Sequence, residues 1–168
     1  MQIAGAILII LTSYIIGYYL GSFPINRKMD LLQFKKALSI LSSEIEHMHT
    51  PLKTALINIA ERLNKPIDAI FINFANFLET EMPKDAFQKS LQLNIKKTYL
   101  TKEDIYILNN FASIIGHLDI AMQKSAINLL NEQLTTAINE CTEIGAKNKK
   151  LYTSLSVLFG LLIVVILF

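Results

Sequence analysis

Two long stretches without a charged side chain stand at the ends of this chain, and charged residues fill the segment between them. Residues 1–26 and 151–168 contain no charged side chain, so all sixteen Lys and Arg and all fourteen Asp and Glu lie between Arg27 and Lys150. A helix needs about 20 mostly apolar residues to cross the hydrocarbon of a bilayer. The pattern therefore predicts one transmembrane helix at each end, residues 1–25 and 151–168, around a soluble middle, residues 26–150.

The soluble middle repeats apolar residues at helical spacing in successive segments. The predicted faces are Leu52, Ala55, Leu56, Ile59 and Leu63; Ile67, Ile70, Phe71, Phe74 and Leu78; Phe87, Leu91 and Ile95; and Ile105, Leu108, Ala112 and Ile115. No stretch shows the strict alternation of a half-buried strand. We therefore predict an all-α fold, in which two terminal transmembrane helices flank a bundle of about six helices.

Four internal helix starts are marked by capping residues and prolines. Thr50 offers a capping hydroxyl before Pro51, which suits the first helical position. Asn64 near Pro66 and the Pro83-Lys84-Asp85 stretch indicate similar starts. The run from Thr101 to Asp104 has the spacing of a capping box, with acids in the first turn.

The two outer helices of the soluble middle have a narrower, heptad-like apolar pattern. The first seam is Leu31, Phe34, Leu38, Leu41, Ile45 and Met48, and the second is Ile127, Leu130, Leu134, Ala137, Cys141 and Ile144. An antiparallel pairing of the two seams would form a stalk above the membrane. Pairing between two copies would give the same spacing, so a homo-oligomer is an open alternative.

Basic residues flank both predicted spans on the side of the soluble middle. They are Arg27, Lys28, Lys35 and Lys36 after the first span, and Lys147, Lys149 and Lys150 before the second. Lys and Arg beside a span stay preferentially on the cytoplasmic side. The middle is therefore predicted to lie in the cytoplasm, with both termini on the far side of the membrane.

Charge and cysteine content exclude some classes of partner and bond. The net charge of +2 is small, and no basic stripe with interleaved aromatics appears, so nucleic acid is not an expected partner. The single cysteine, Cys141, excludes an internal disulfide and is predicted to be a small core side chain.

The ionisable residues do not form a catalytic or metal-binding pattern. Glu46 and His49 match half of a carboxylate-bridged di-metal motif, but the second Glu-x-x-His is missing. His117 and Asp119 lack a nucleophile in a glycine-rich elbow, and a turn with Gly116 as a helix C-cap explains them. The scattered glycines form no phosphate-binding loop. The sequence therefore predicts a protein that is not an enzyme and uses no metal or cofactor.

Small residues recur at four-residue spacing in both predicted spans. Ser13, Gly17 and Gly21 share one face of the first span, and Ser156 and Gly160 offer a matching face on the second. Such faces let helix backbones approach closely in a membrane. The spacing predicts helix packing here, either within one chain or between chains.

Short patterns occur in a fixed order along nearly the whole chain. They are the apolar first span; Leu41 to Glu46 leading into His49-Thr50-Pro51-Leu52; Phe71 and Phe74; Phe111 to Gly116; Asp119, Gln123, Lys124 and Ile127; and Lys147 to Leu155, closing in Gly160 to Val165. This order and spacing resembles the stage III sporulation protein AB family of endospore-forming bacteria. The chain departs from the family in having no Trp near Phe87 and in carrying Ala112 and Ser156 where Gly is usual. These departures concern packing.

The resemblance implies a part in the sporulation complex that links mother cell and forespore, in the mother-cell membrane around the forespore. In that family the soluble region is similar to the cytoplasmic F domain of type II secretion and type IV pilus platform proteins. Such proteins are thought to couple a secretion-type ATPase to membrane components. The implied partners are therefore a sporulation ATPase, encoded beside this family, and other membrane proteins of the same complex.

Two sets of residues are candidates for contacts. The candidate partner surface comprises Lys84, Asp85, Lys89 and Lys96, which a membrane-distal end of the bundle would present. The family-pattern corners comprise Glu44, Thr50, Pro51, Leu52, Gly116, Asp119, Gln123 and Lys124, which we expect to specify the fold first and to make contacts second. The alternative function is a membrane-anchored coiled-coil scaffold without a motor partner, which would not need the short capped helices.

Overall fold

The computed structural model describes residues 2–47, 51–115 and 120–167. The helices are α1 (Gln2–His47), α2 (Leu52–Ala60), α3 (Ile67–Phe77), α4 (Pro83–Asn94), α5 (Lys102–Ile115) and α6 (Ile120–Leu167), with a short 3-10 helix (Ile95–Lys97) after α4. No strand occurs in these described ranges. The predicted all-α fold is confirmed, with a long apolar helix at each end of a helical core.

The chain divides into two compact units. The terminal unit comprises residues 1–26 and 139–168, and the bundle unit comprises residues 27–138. Helices α1 and α6 each contribute residues to both units. The predicted span limits at residues 25 and 151 concern the membrane itself, and they stay predictions.

The core of the bundle unit is built from the apolar faces of its helices. Helix α3 packs against α2 and α4, and α4 also packs against α5. The rings of Phe74 and Phe87 meet nearly edge to face, with their centroids 5.3 Å apart, and Phe34 lies 5.8 Å from Phe71. Aromatic pairs of this kind stabilise a core beyond the area that they bury. The core therefore joins α1 to α3 and α3 to α4 through ring contacts.

Helices begin at or next to all four marked starts, and two of the four capping signals are confirmed in detail. Helix α4 begins at Pro83, as predicted. At α5 the backbone N–H of Thr101 donates to Asp104 Oδ2 (2.8 Å), and the N–H of Asp104 donates to Thr101 Oγ1 (3.3 Å). These reciprocal bonds confirm the predicted capping box. Pro51, predicted at the first helical position, instead immediately precedes α2 as its N-cap residue.

The heptad seams are buried in their described parts, with one exception. Leu31, Phe34, Leu38, Leu41, Ile127, Leu130, Leu134, Ala137 and Cys141 are buried. Ile144 is 48% exposed, so its predicted place in the seam is wrong. The side chains of Ile45 and Met48 lie outside the described residues. In the bundle unit, Lys35 Nζ donates to Thr135 Oγ1 (2.7 Å), which joins α1 to α6 within one chain. A coiled-coil stalk stays a prediction.

Candidate functional site

The small residues of the terminal unit lie where α1 and α6 approach each other most closely. A methyl group added at Gly17 would come within 2.6 Å of Ser156 Cβ and 2.8 Å of the Tyr152 carbonyl oxygen. A methyl group at Gly160 would come within 2.9 Å of Ser13 Cβ. Residue numbers rise along α1 as they fall along α6 at these contacts, so the two helices run antiparallel. Their backbones approach closely because the facing side chains are small.

Two further glycines of this unit differ in how much space surrounds them. A methyl group at Gly21 would come within 2.8 Å of Lys149 Cα, which is backbone and cannot rotate away. At Gly145 the nearest atoms would be Ile25 Cγ1 and Pro24 Cβ, at 3.5 and 3.6 Å. Those are ordinary van der Waals distances, so Gly145 has room for a methyl group and Gly21 has none.

The surface of the terminal unit is strongly apolar. Within its described part, the buried residues are Gly17, Gly21, Cys141, Gly145 and Gly160. Its large side chains, such as Leu158 and Phe159, are mostly exposed. The stretches Gly5–Glu44 and Lys149–Leu167 are long and apolar enough, by length and composition, to cross a membrane.

An open groove of about 650 Å³ lies between α1 and α6 of the terminal unit. Its lining residues are Tyr14, Tyr18, Lys149, Lys150, Thr153, Ser154, Val157 and Leu158. The ammonium group of Lys149 lies 4.6 Å from the centre of the Tyr18 ring, in cation–π geometry. A hollow of about 510 Å³ shares Lys150 and Ser154 with the groove and adds Lys147 and Leu151. The sequence placed these lysines beside the second predicted span but could not show a groove, because the second wall of the groove comes from α1.

All four residues of the candidate partner surface are exposed. Lys84 and Asp85 lie in the first turn of α4, and Lys96 lies in the 3-10 helix after it. Lys89 is engaged differently, since its ammonium group pairs with Glu81 and lies 4.6 Å from the centre of the Phe77 ring. A partner that used Lys89 would have to compete with these contacts. The other three residues present their charges to solvent.

The family-pattern corners are only partly described. Glu44 is buried, Pro51 is exposed and Leu52 is half-buried. The carbonyl oxygen of Pro51 accepts a hydrogen bond from the N–H of Ala55 (3.1 Å), which forms the first turn of α2. Of the remaining positions, Gln123 is half-buried and Lys124 is exposed, whereas Thr50, Gly116 and Asp119 lie outside the described residues.

A buried ion pair that sequence reasoning missed joins α1 to α5 in the bundle unit. Arg27 donates from Nε to Asp104 Oδ2 and from Nη2 to Asp104 Oδ1, both at 2.8 Å. Asp104 is fully buried. Burial acts to raise the pKa of this carboxyl, but the hydrogen bonds from Arg27 and Thr101 outweigh burial and hold the pKa below its usual value. The capping pattern identified Asp104, yet nothing in the sequence indicated Arg27 as its partner.

A second buried carboxylate of the bundle unit has the opposite electrostatics. Asp30, outside the predicted span, accepts a hydrogen bond from the backbone N–H of Tyr99 (2.7 Å). Burial raises the pKa of Asp30, and the bond from Tyr99 only partly offsets that effect. This bond ties α1 to the segment before α5.

Metal ligands do not cluster in the described residues. Across 2–47, 51–115 and 120–167, no three His, Cys, Asp or Glu side chains are grouped so as to hold a metal ion. His49, half of the di-metal motif, lies outside these ranges, as does His117.

The family match and the match to a curated protein both cover nearly the whole chain. Residues 2–168 match the protein family described as "Stage III sporulation protein AB". The curated protein "Stage III sporulation protein AB" of Bacillus subtilis (strain 168) is 29% identical over 169 residues, which cover 99% of each chain. A solved structure of "Stage III sporulation protein AB (SpoIIIAB)" is 28% identical, with a TM-score of 0.68 over 71% of this chain and 96% of that chain. These relatives are named for a stage of sporulation and not for a reaction.

Proposed function

Because this chain belongs to the stage III sporulation protein AB family, we propose that it is a membrane platform component of the sporulation complex. In this role it couples a cytoplasmic secretion-type ATPase to membrane components between mother cell and forespore. It acts without catalysing a reaction itself. The observation that carries the proposal is the division of the chain into an apolar-surfaced terminal unit and a packed bundle unit, with α1 and α6 each contributing residues to both.

The two units suit two different tasks. The exposed apolar side chains of the terminal unit are stable in a bilayer and would be costly in water. The bundle unit presents charges to solvent, including Lys84, Asp85 and Lys96. In the proposed mechanism the ATPase docks on these residues, and helices α1 and α6 carry its movement to the membrane. The bundle faces the cytoplasm and both termini lie on the far side, because the basic residues flank the spans on the bundle side.

Binding of the sporulation ATPase to the full chain tests this function. The full chain in nanodiscs is mixed with the ATPase, and sedimentation velocity measures the complex and the oligomeric state of the chain alone. We expect a complex of fixed stoichiometry that Lys84→Glu and Lys96→Glu each weaken severalfold, since a reversed charge opposes the docking charge. Lys65→Glu, which reverses an exposed lysine in the loop before α3, is the matched control and is expected to bind as the parent does.

Two results would count against the platform role. A folded chain that does not bind the ATPase, and that assembles into long rods, would favour the coiled-coil scaffold. Equal weakening by Lys65→Glu and Lys84→Glu would show that net charge matters and that the α4 surface does not. For the topology, a reporter active only outside the cytoplasm is fused to each end in turn. Activity from neither fusion would contradict the proposed orientation.

A further inference from the structure

We propose that the groove between α1 and α6 of the terminal unit binds the headgroup phosphate of an anionic phospholipid. The groove is the one lined by Tyr14, Tyr18, Lys149, Lys150, Thr153, Ser154, Val157 and Leu158. This inference rests on insertion of the terminal unit in a membrane and is independent of any coupling to an ATPase.

The groove is polar at one end and apolar at the other. Along α6 its lining residues come from three successive turns, with Lys149 and Lys150 first and Val157 and Leu158 last. At 1.5 Å per residue these pairs stand about 12 Å apart along the helix. A phospholipid has the same order of chemistry, with a charged headgroup above acyl chains. Val157 and Leu158 suit an acyl chain, whereas a soluble anion would leave this end of the groove unused.

The charge at the polar end selects an anionic headgroup. No acidic side chain is among the described residues that line the groove. Lys150 and Ser154 also line the adjoining hollow, where Lys147 adds a third positive charge. Lysine ammonium groups bind phosphate as point charges, and each lysine near an anionic membrane surface strengthens attraction to it. The groove therefore favours an anionic phospholipid over a zwitterionic one.

Tyr18 holds one of the lysines in place. The Lys149 ammonium group lies 4.6 Å from the centre of the Tyr18 ring. The contact with the ring orders a long side chain that would otherwise lose rotamer freedom on binding. Tyr14 stacks on Tyr18 on the same wall, with ring centroids 6.4 Å apart. The polar end is thus partly formed before a lipid arrives.

Native mass spectrometry of the full chain tests the site. The purified protein in detergent is titrated with phosphatidylglycerol or with phosphatidylcholine, and the lipid-bound fraction is measured at each concentration. We expect phosphatidylglycerol to bind more tightly, and Lys149→Gln/Lys150→Gln to weaken it by roughly tenfold or more without affecting phosphatidylcholine. The control Lys84→Gln/Lys96→Gln removes two exposed lysines of the bundle unit and is expected to bind as the parent does. The charge-retaining variant Lys149→Arg/Lys150→Arg is expected to keep most of the affinity.

Several outcomes would overturn the site. Equal binding of both lipids, unchanged phosphatidylglycerol binding by the double Gln variant, or an equal loss in the bundle-unit control would each contradict it. So would a loss in the Arg variant as large as in the Gln variant. In a second arm, glycerol phosphate competes with the lipid. Displacement at concentrations similar to those of the lipid would show that the groove recognises a free phosphate and that the apolar end contributes nothing.

Discussion

The bundle unit buries large apolar side chains, whereas the described part of the terminal unit buries small residues. In the bundle unit the buried residues include large side chains, such as Phe34, Phe74 and Leu134. In the described part of the terminal unit they are four glycines and one cysteine. Large apolar side chains of that unit, such as Ile15 and Phe159, remain exposed.

The difference follows from the solvent that each unit suits. In water, burying a large apolar side chain removes apolar surface from the solvent, which is the main favourable term in folding. In a bilayer the lipid tails are as apolar as leucine, so this term disappears and helices associate through close packing of small residues. One chain therefore uses two packing rules, and the same substitution has different consequences in the two units.

The bundle unit has a buried ion pair between two helices, whereas hydroxyls that bond back to their own helix occur in both units. In the bundle unit, Arg27 and Asp104 bond across 77 positions of the sequence. In the terminal unit, hydroxyls bond back to their own helix, as Thr12 does to the Leu8 carbonyl (2.9 Å) and Ser22 to the Tyr19 carbonyl (2.8 Å). A hydroxyl that bonds within its own helix needs neither water nor a partner helix, which suits the interior of a bilayer.

The largest expected effect comes from truncating the same residue type in each unit. Phe74→Ala removes a fully buried ring that packs on Phe87, and we expect a loss of about 3–5 kcal/mol in the free energy of unfolding. Phe159→Ala removes a ring that is 59% exposed, and we expect a change of less than about 0.5 kcal/mol. Unfolding of the full chain in nanodiscs, followed by circular dichroism, measures both. Equal losses would contradict the idea that different solvents surround the two units.

The next largest effect is a difference in stability loss between variants of the two buried carboxylates of the bundle unit. Asp104→Asn removes the charge that pairs with Arg27, and we expect a loss of about 3 kcal/mol, because the guanidinium remains partly buried. Asp30→Asn keeps an oxygen that can accept from the Tyr99 N–H and removes a charge whose burial is unfavourable. We therefore expect Asp30→Asn to be nearly neutral at pH 7, as measured by the same unfolding experiment. If Asp30→Asn lost more stability than Asp104→Asn, then the charge of Asp30, and not that of Asp104, would be the stabilising one.

A smaller difference in stability is expected between alanine variants of two buried glycines of the terminal unit. Gly17→Ala places a methyl group 2.6 Å from Ser156 Cβ, so the helices must shift, and we expect a loss of about 1–3 kcal/mol. At Gly145 the nearest neighbours would be 3.5 Å away, and alanine favours a helix over glycine, so Gly145→Ala is expected to be neutral or slightly stabilising. Thermal unfolding in nanodiscs separates the two. If both variants lost stability equally, close approach would not explain the buried glycines.

The smallest effect is a pH dependence confined to the bundle unit. The pKa of Asp104 lies below its ordinary value of 3.8, so its stabilising contribution is present above pH 3.8 and is lost as the pH falls through the lower, folded-state value. The parent should therefore lose more stability than Asp104→Asn does when the pH falls below 3.8. Unfolding curves between pH 5 and about pH 2.5 measure the difference. Parallel curves for the two proteins would show that Asp104 carries no such linkage.

The sequence predicted the helices and the faces of small residues, but for most residues it did not predict which other residues they contact. The capping box at Thr101 and the start of α4 at Pro83 follow from spacing within one or two turns, and both are confirmed. The seam was wrong at Ile144, because the spacing after Cys141 becomes four residues: Gly145, which faces Ile25 and Pro24, is buried, and Ile144 is exposed. Spacing selected Gly17 and Ser156, whereas the structure places them opposite each other in one chain. Packing of these faces between chains stays a prediction.

The sequence by itself determined the helical segments and the two apolar ends, because helix periodicity, capping and hydropathy are local properties that neighbouring residues set together. Only the tertiary structure decided that Arg27 meets Asp104 and that Tyr18 meets Lys149. Both contacts join α1 to residues far along the chain, and many charged or aromatic residues could serve as partners on spacing alone. Which of them meet depends on how the helices pack, and packing depends on the whole set of side chains at once.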